Sequence, residues 1–418
     1  MASSLAASLV LLLLASPAQA QLLPDRPVTW LGGRLVLGGS VSVSAATTEH
    51  DTYFNTGTYS EDTMRLVTAA VTSSLEIHPR VGVEADLRVA GEADGSYWYF
   101  RPRGLLVRLQ PLATPHLTLA AGLIQTAFGT AGARDAYGPG NLLIGRPLIY
   151  QYATPIRGDA LPRNVPELLQ NRGLGAEAHY FIGDSITYEG DQDYTYVGLP
   201  LADPTGWNAG VRLTAGRERV NATVTLTDGS LSNPRSRGTP GGWQASGRLE
   251  THVVTGLVLG ASAAHGRYLL RELVDAVETR AVAFREPRET AVGVDLEYSR
   301  DYWLLRAEAI HNRRSVPGFR EPLVREALSV TGLDVEGRYR LAPGLYAAAR
   351  FGSIFFGPAA AAGDGETWDA NVFRMEAGAG WSVTRGVLLK AAYQYNRRDM
   401  TGDLRSAHRV GVEATAWF

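Results

Sequence analysis

The sequence predicts an all-β protein: a transmembrane antiparallel β-barrel of 18 strands, with 16 as the fallback count, and a long loop folded into the lumen. Three observations predict it. Apolar and polar residues alternate along most of the chain, the period of a strand whose two faces meet different solvents. The polar parity carries frequent charges, which a packed core rejects but a wide, water-filled barrel accepts. Connections alternate between short and long, as tight turns and longer loops do at the two ends of such barrels.

Residues 1–20 read as a signal peptide. Leu9 to Ala15 form a short apolar core, and Pro17-Ala18-Gln19-Ala20 supplies a small-x-small cleavage pattern. No Lys or Arg precedes that core, so the assigned start is itself an expectation. The apolar run is far below the roughly 20 residues that span a bilayer as a helix. Residues 21–418 then form one barrel, with no linker or composition shift to divide them.

Leu31-Leu35-Leu37-Val41-Val43 set the first apolar parity. Val67 to Ile77 and Val81 to Val89 flank a turn at His78-Pro79-Arg80. Leu105-Val107-Leu109 and Leu117 to Leu123 follow. Leu174-Ala176-Ala178-Tyr180-Ile182 alternate as a further strand, and Ile186–Val197 is the poorly patterned one on which the count turns. Hairpins are then expected at 209–226, 245–261, 292–309, 333–351 and 373–395. The chain closes on Val410, Val412, Ala414, Ala416 and Phe418, all of one parity. A barrel leaves no edge unpaired, so Phe418 is expected on the closing strand as a membrane-insertion residue.

The opposite parity is the expected lumen wall. Its cations are Arg88, Arg212, Arg248, Arg306, Arg338, Arg350, Arg374 and Lys390, interleaved with acids such as Glu336 and Glu376. Opposite signs on neighbouring strands pair across a wall. Of the 40 basic residues, all but Lys390 are arginine. The net charge of −2 argues against nucleic acid as a partner, and the chain has no cysteine.

The longest connection, 129–170, is the candidate constriction loop. Leu142-Leu143-Ile144 and Pro147-Leu148-Ile149-Tyr150 need something to pack on. Folding inward buries them and presents Arg134, Arg146, Arg157 and Arg163, with Asp135 and Asp159, to the pore. Guanidinium groups fixed at a constriction favour anions. The alternative is an external loop whose arginines pair with Asp135, Asp159 and Glu167.

Two short motifs carry a family resemblance. Leu123-Ile124-Gln125-Thr126-Ala127-Phe128-Gly129 and Leu226-Thr227-Asp228-Gly229-Ser230-Leu231-Ser232, set among the alternating strands, resemble Gram-negative porins of the phosphate-selective O and P type. There a Phe-Gly step precedes an inserted loop, and an Asn/Asp-Gly-Ser turn opens a later external one. The resemblance implies a bacterial outer-membrane location and passive diffusion of small hydrophilic solutes; the loop arginines add anions to the expected solutes. It also implies outer-membrane lipid around the barrel, and, trimers being common among porins, a homotrimer as one expected assembly with a monomer as the other. Members that select phosphate have lysine-rich lumens; with one lysine here, phosphate selectivity does not carry over.

No catalytic residue, cofactor site or metal ligand set is expected. Gly140 to Pro147 has phosphate-loop spacing but lacks the Lys and Ser/Thr. The competing readings are a barrel-embedded hydrolase, for which His265 with a wall serine is the candidate pair, and a surface receptor or adhesin.

Overall fold

The computed structural model describes residues 26–47, 54–55, 64–92, 98–112, 116–130, 134, 137–175, 178–184, 198–235, 242–278, 280–360, 365–401 and 405–418. The signal segment 1–20 and Asp135 lie outside them.

Among the described residues seventeen strands join in one antiparallel sheet: β1 (Val28–Trp30), β2 (Leu35–Ala46), β3 (Met64–His78), β4 (Val81–Glu92), β5 (Trp98–Leu109), β6 (Leu117–Gln125), β7 (Trp207–Arg217), β8 (Val220–Asp228) and β9 (Trp243–Val254) in the first half. The second half holds β10 (Leu257–Arg267), β11 (Arg288–Arg300), β12 (Trp303–Ser315), β13 (Ala327–Ala342), β14 (Leu345–Phe356), β15 (Val372–Thr384), β16 (Val387–Arg398) and β17 (Ser406–Trp417). Each of β2 to β17 pairs with its sequence neighbours, and β17 pairs back onto β2, so these 16 strands close a ring. Closure removes every free edge, the condition a sheet must meet in hydrocarbon.

The seam is built around Phe418. Its amide and carbonyl bond Gly39 at 3.0 and 3.2 Å, and a Cβ on Gly39 would sit 2.6 Å from the Phe418 ring. β17 covers β2 only from Ser40 to Ala46; β1 covers the remainder of that edge, Leu35 to Leu37. The three-residue β1 thus lies beside β2 outside the 16-strand ring.

Sixteen of the strands expected from alternation are present, and the fallback count is the observed one. Of the two further strands in the count of 18, one is corrected and the other falls outside the described residues. The described residues of 174–182 form no strand: 174–175 and 178–180 are irregular, and Phe181 opens a short helix. Ala178, Tyr180 and Ile182 are buried against the inserted loop, so their alternation reflects packing on protein rather than facing lipid. Ile186–Val197 lies outside the described residues. The connection between β6 and β7 therefore runs from 126 to 206, well beyond the expected 129–170.

Alternation decides what each face meets. On the outer face Val292, Val294, Val335, Met375, Val410 and Val412 are exposed, Val294 by 60%. Their inward neighbours Asp295, Asp334, Glu336, Arg374 and Arg409 are buried. A continuous apolar belt of this extent marks a surface that meets another apolar phase, here the hydrocarbon of a bilayer. Tyr302, Trp303 and Tyr339 cluster at the short-turn end, with ring centres 6.1 and 4.7 Å apart, where an interfacial aromatic girdle belongs. The two-residue turns 343–344 and 385–386 place Gly344 and Gly386 at φ +77 and +76, a backbone glycine adopts without strain.

The main apolar core lies inside the barrel, towards the long-loop end. Leu148, Ile149, Tyr152, Ile156, Leu168 and Tyr180 of the 126–206 connection pack against wall residues including Ile310, Val330, Ile354 and Val372. Three short helices stiffen that connection: α1 (Leu148–Gln151), α2 (Val165–Gln170) and α3 (Phe181–Asp184). Asn164 caps α2 by accepting the Glu167 amide at 3.1 Å. A fourth helix, α4 (Arg271–Glu278), sits between β10 and β11.

Candidate functional site: the lumen and its inserted loop

The loop enters the lumen at Phe128-Gly129. Phe128 is buried in the interior core, and Gly129 adopts φ +59 with the Glu308 carboxylate and Tyr150 hydroxyl where a Cβ would stand. The Gly129 amide donates to Ser262 Oγ at 3.0 Å. Thr130 donates to Glu308 through its amide at 3.2 Å and its hydroxyl at 2.9 Å. Burial holds the Tyr150 hydroxyl protonated, its pKa raised by desolvation and by neighbouring Glu308. The second family-like motif also opens a loop: Gly229, at φ +98, follows β8 and its amide donates to the Gly242 carbonyl at 3.0 Å.

Beyond Thr130 the loop lies along β12 to β17, held by wall cations that seek its carbonyl oxygens. Lys390 donates to the carbonyls of Gly138, Asn141 and Leu143 at 2.9, 3.2 and 3.2 Å and pairs with Glu413 at 2.7 Å. Arg350 donates to Asn141 Oδ1 at 2.7 Å and Gly145 O at 3.5 Å. Arg374 donates to the Arg146 carbonyl at 3.3 Å, the Phe54 carbonyl and Asn55 Oδ1 at 2.9 Å each, and Asn396 Oδ1 at 2.6 Å. Tyr346 lies over Gly380, where a side chain would collide with its ring, and its hydroxyl reaches the Leu142 carbonyl at 3.0 Å. A loop backbone taken out of water needs partners for its carbonyls, and these side chains supply them.

The same wall carries a charge ladder. Glu297, Arg306, Glu336, Arg350 and Glu376 stand directly opposite one another on β11 to β15. Arg306 pairs with Glu297 at 2.7 Å and Glu336 at 3.1 Å; Arg350 pairs with Glu336 at 3.0 Å and Glu376 at 3.1 Å. Gln394 on β16 donates to Glu376 at 2.9 Å. Arg134 of the loop joins the ladder by pairing with Glu336. Glu336 thus balances three guanidinium groups, and the ladder's alternating signs leave little net charge.

The structure sorts the expected pore residues into two groups. Arg134 and Arg146 keep part of their side chains exposed, 18% and 33%; Arg146 pairs with Asp203 at 3.4 Å. Arg163 pairs with Glu167 at 3.2 Å and lies 4.5 Å from the Phe181 ring centre. Arg157 and Asp159 do not face water, which corrects their expected place at the constriction. They bind each other inside the loop, with Arg157 also donating to the Ala178 carbonyl at 2.8 Å. Two residues apart in an irregular segment, they satisfy each other before either can reach the pore.

The wall opposite the loop is more open. Its inward face is largely Gly, Ala, Thr and Ser, with Glu84–Arg108 paired at 2.8 Å and Asp86–Arg88 at 3.0 Å, both partly exposed. Arg248 binds Asp295 at 2.8 Å. Arg212 and Arg338 differ from these: among the described residues neither has a carboxylate within ion-pair distance. The Arg338 guanidinium lies 5.6 Å from the Tyr346 ring centre, and its Nε has no hydrogen-bond partner.

Sequence reading missed the anchoring role of Lys390, Arg350, Arg374 and Tyr346, because their partners are backbone carbonyls that no side-chain pattern reports. One signal was available: the sole lysine of an arginine-rich chain stands at wall parity opposite Glu413. The hydrolase candidate His265 faces outward, on the parity opposite to Ser246 and Ser262, with Nδ1 2.8 Å from Thr290 Oγ1. It does not meet a lumen serine.

No family model and no curated protein matches the sequence. Solved structures do. The outer membrane channel DcaP of Acinetobacter baumannii is 12% identical, with 94% of this chain and 100% of that one covered, at a TM-score of 0.55. OmpT, an outer membrane protein of Vibrio cholerae in trimer form, is 12% identical over 92% and 99%, at 0.52. Salmonella typhi OmpF in complex with daunomycin is 12% identical over 92% and 97%, at 0.51. The chain has the fold of Gram-negative outer-membrane porins.

Proposed function

We propose that the protein is a bacterial outer-membrane channel for passive diffusion of small hydrophilic solutes, with a preference for anions. The apolar belt supports a place in lipid, and the polar interior beside the inserted loop supports a watery path. The observation that carries the anion preference is the pair Arg212 and Arg338, lumen guanidiniums without a carboxylate partner, together with the exposed flank of Arg146. Most other lumen cations meet carboxylates or, like Arg374, loop carbonyls, so the preference is modest and no single tight site is expected. In this reading 129–170 supplies the constriction, the long loops face outward and the short turns face the periplasm. A homotrimer is the proposed assembly, on the likeness to the Vibrio barrel in trimer form.

Liposome swelling tests the function. Vesicles holding the protein should swell in iso-osmotic solutions of an uncharged small sugar and of a small carboxylate. Swelling no faster than in empty vesicles would refute the channel, and faster entry of a cationic solute than of an anion of equal size would refute the preference. Chemical cross-linking in native membranes tests the assembly, a monomer band alone counting against a trimer.

A further inference from the structure

We propose that Asp369 is a proton-operated latch between the inserted loop and the loop joining β14 to β15, holding more firmly as the medium acidifies. Asp369 is fully buried. Its Oδ1 accepts the amides of Gly173 and Ala370, both at 2.8 Å, and its Oδ2 accepts the Tyr152 hydroxyl at 3.0 Å. Tyr152 and Gly173 belong to the inserted loop, whereas Asp369 and Ala370 belong to the neighbouring one. One carboxylate therefore ties two separate segments together. Gly173 is held in place too: it adopts φ +74, and a Cβ there would meet Met400 and Arg398 at 3.0 and 3.1 Å.

No cation among the described residues lies within ion-pair distance of this carboxylate. The charged groups around it are engaged elsewhere. The Arg398 guanidinium, at the end of β16, lies 4.2 Å from the Phe54 ring centre and 5.4 Å from that of Tyr152. Arg172 turns to Glu366 at 3.4 Å and Thr367 at 3.3 Å. Among the described residues Asp399 meets this loop through its backbone amide, which donates to the Asn371 carbonyl at 2.8 Å. Tyr152 is buried and its hydroxyl stays protonated.

A carboxylate taken out of water without a cation in ion-pair contact favours its neutral form. Burial pushes the Asp369 carboxyl up from 3.8 to about 6, and the field of Arg398 with the three hydrogen bonds offsets only part of that rise. Opening the latch returns the group to water and to its ordinary range. The closed form thus binds the proton more tightly than the open form. Closure gains as pH falls through about 6 and stops gaining near the ordinary value. Between pH 7.5 and pH 5 the gain in the closing equilibrium is about tenfold.

Hydrogen–deuterium exchange on the full-length protein in detergent tests this without reference to conductance, so its failure and a failure of the channel reading are separable. Protection of peptides covering Gly173 and Ala370, corrected for the intrinsic rate at each pH, should be about tenfold higher at pH 5 than at pH 7.5. Asp369→Asn should make protection equal at the two pH values. Tyr152→Phe removes a donor that favours the charged form, so it should move the response to higher pH. Unchanged or lower protection of the wild type at pH 5, or the wild-type response persisting in Asp369→Asn, overturns the latch.

Discussion

Lys390 on β16 and Glu413 on β17 form a 2.7 Å ion pair with both side chains sealed from water, and the Lys390 ammonium shares its remaining two hydrogens among three loop carbonyls. The pair anchors the loop to the wall. Replacing one partner of a buried pair leaves the other charge uncompensated, at a cost of about 3–5 kcal/mol. Lys390→Met should therefore loosen residues 138–143, lower the temperature of heat-induced unfolding in detergent, and make single-channel current larger and noisier. Unaltered current in a folded Lys390→Met protein would mean that the loop does not depend on this anchor.

Arg212 and Arg338 carry the anion preference in this account, so Arg212→Glu and Arg338→Glu should each shift the reversal potential in a salt gradient towards cations. The double variant should shift it further, because the two residues stand on different walls. Arg157→Ala offers the contrast. It strands Asp159 in the loop interior, a cost of about 3–5 kcal/mol to loop stability, while leaving ion preference unchanged.

The two faces of the wall should respond differently to the same change. Val294→Arg puts a cation in the middle of the apolar belt and should destabilise the barrel by about 2–4 kcal/mol. Thr223→Arg, on the lumen parity of β8, should fold nearly as well as the parent. Urea titration of protein refolded into lipid vesicles measures both. Equal losses at the two positions would contradict the assignment of faces.

Most of the barrel was legible because each wall strand meets lipid on one side and the lumen on the other, and such a strand must alternate. Val292–Asp295 and Val410–Glu413 write that rule directly into the chain. The same rule misled at Leu174 to Ile182, where Ala178, Tyr180 and Ile182 turn one face to a protein core that alternation alone does not distinguish from lipid. The inward fold of the loop was legible from its apolar runs, since Leu142, Leu143, Leu148 and Ile149 are all buried on the wall. Its pore-facing residues were not. Side-chain type cannot tell Arg157, neutralised two residues away, from Arg146, which keeps a flank in water.

The central claim is that the inserted loop narrows the lumen without sealing it. Single-channel recording in a planar bilayer tests this most directly. Purified protein should insert and give ohmic steps, with a reversal potential in a potassium chloride gradient on the chloride side. Insertion verified by protease protection, with no steps at any voltage, would contradict the account.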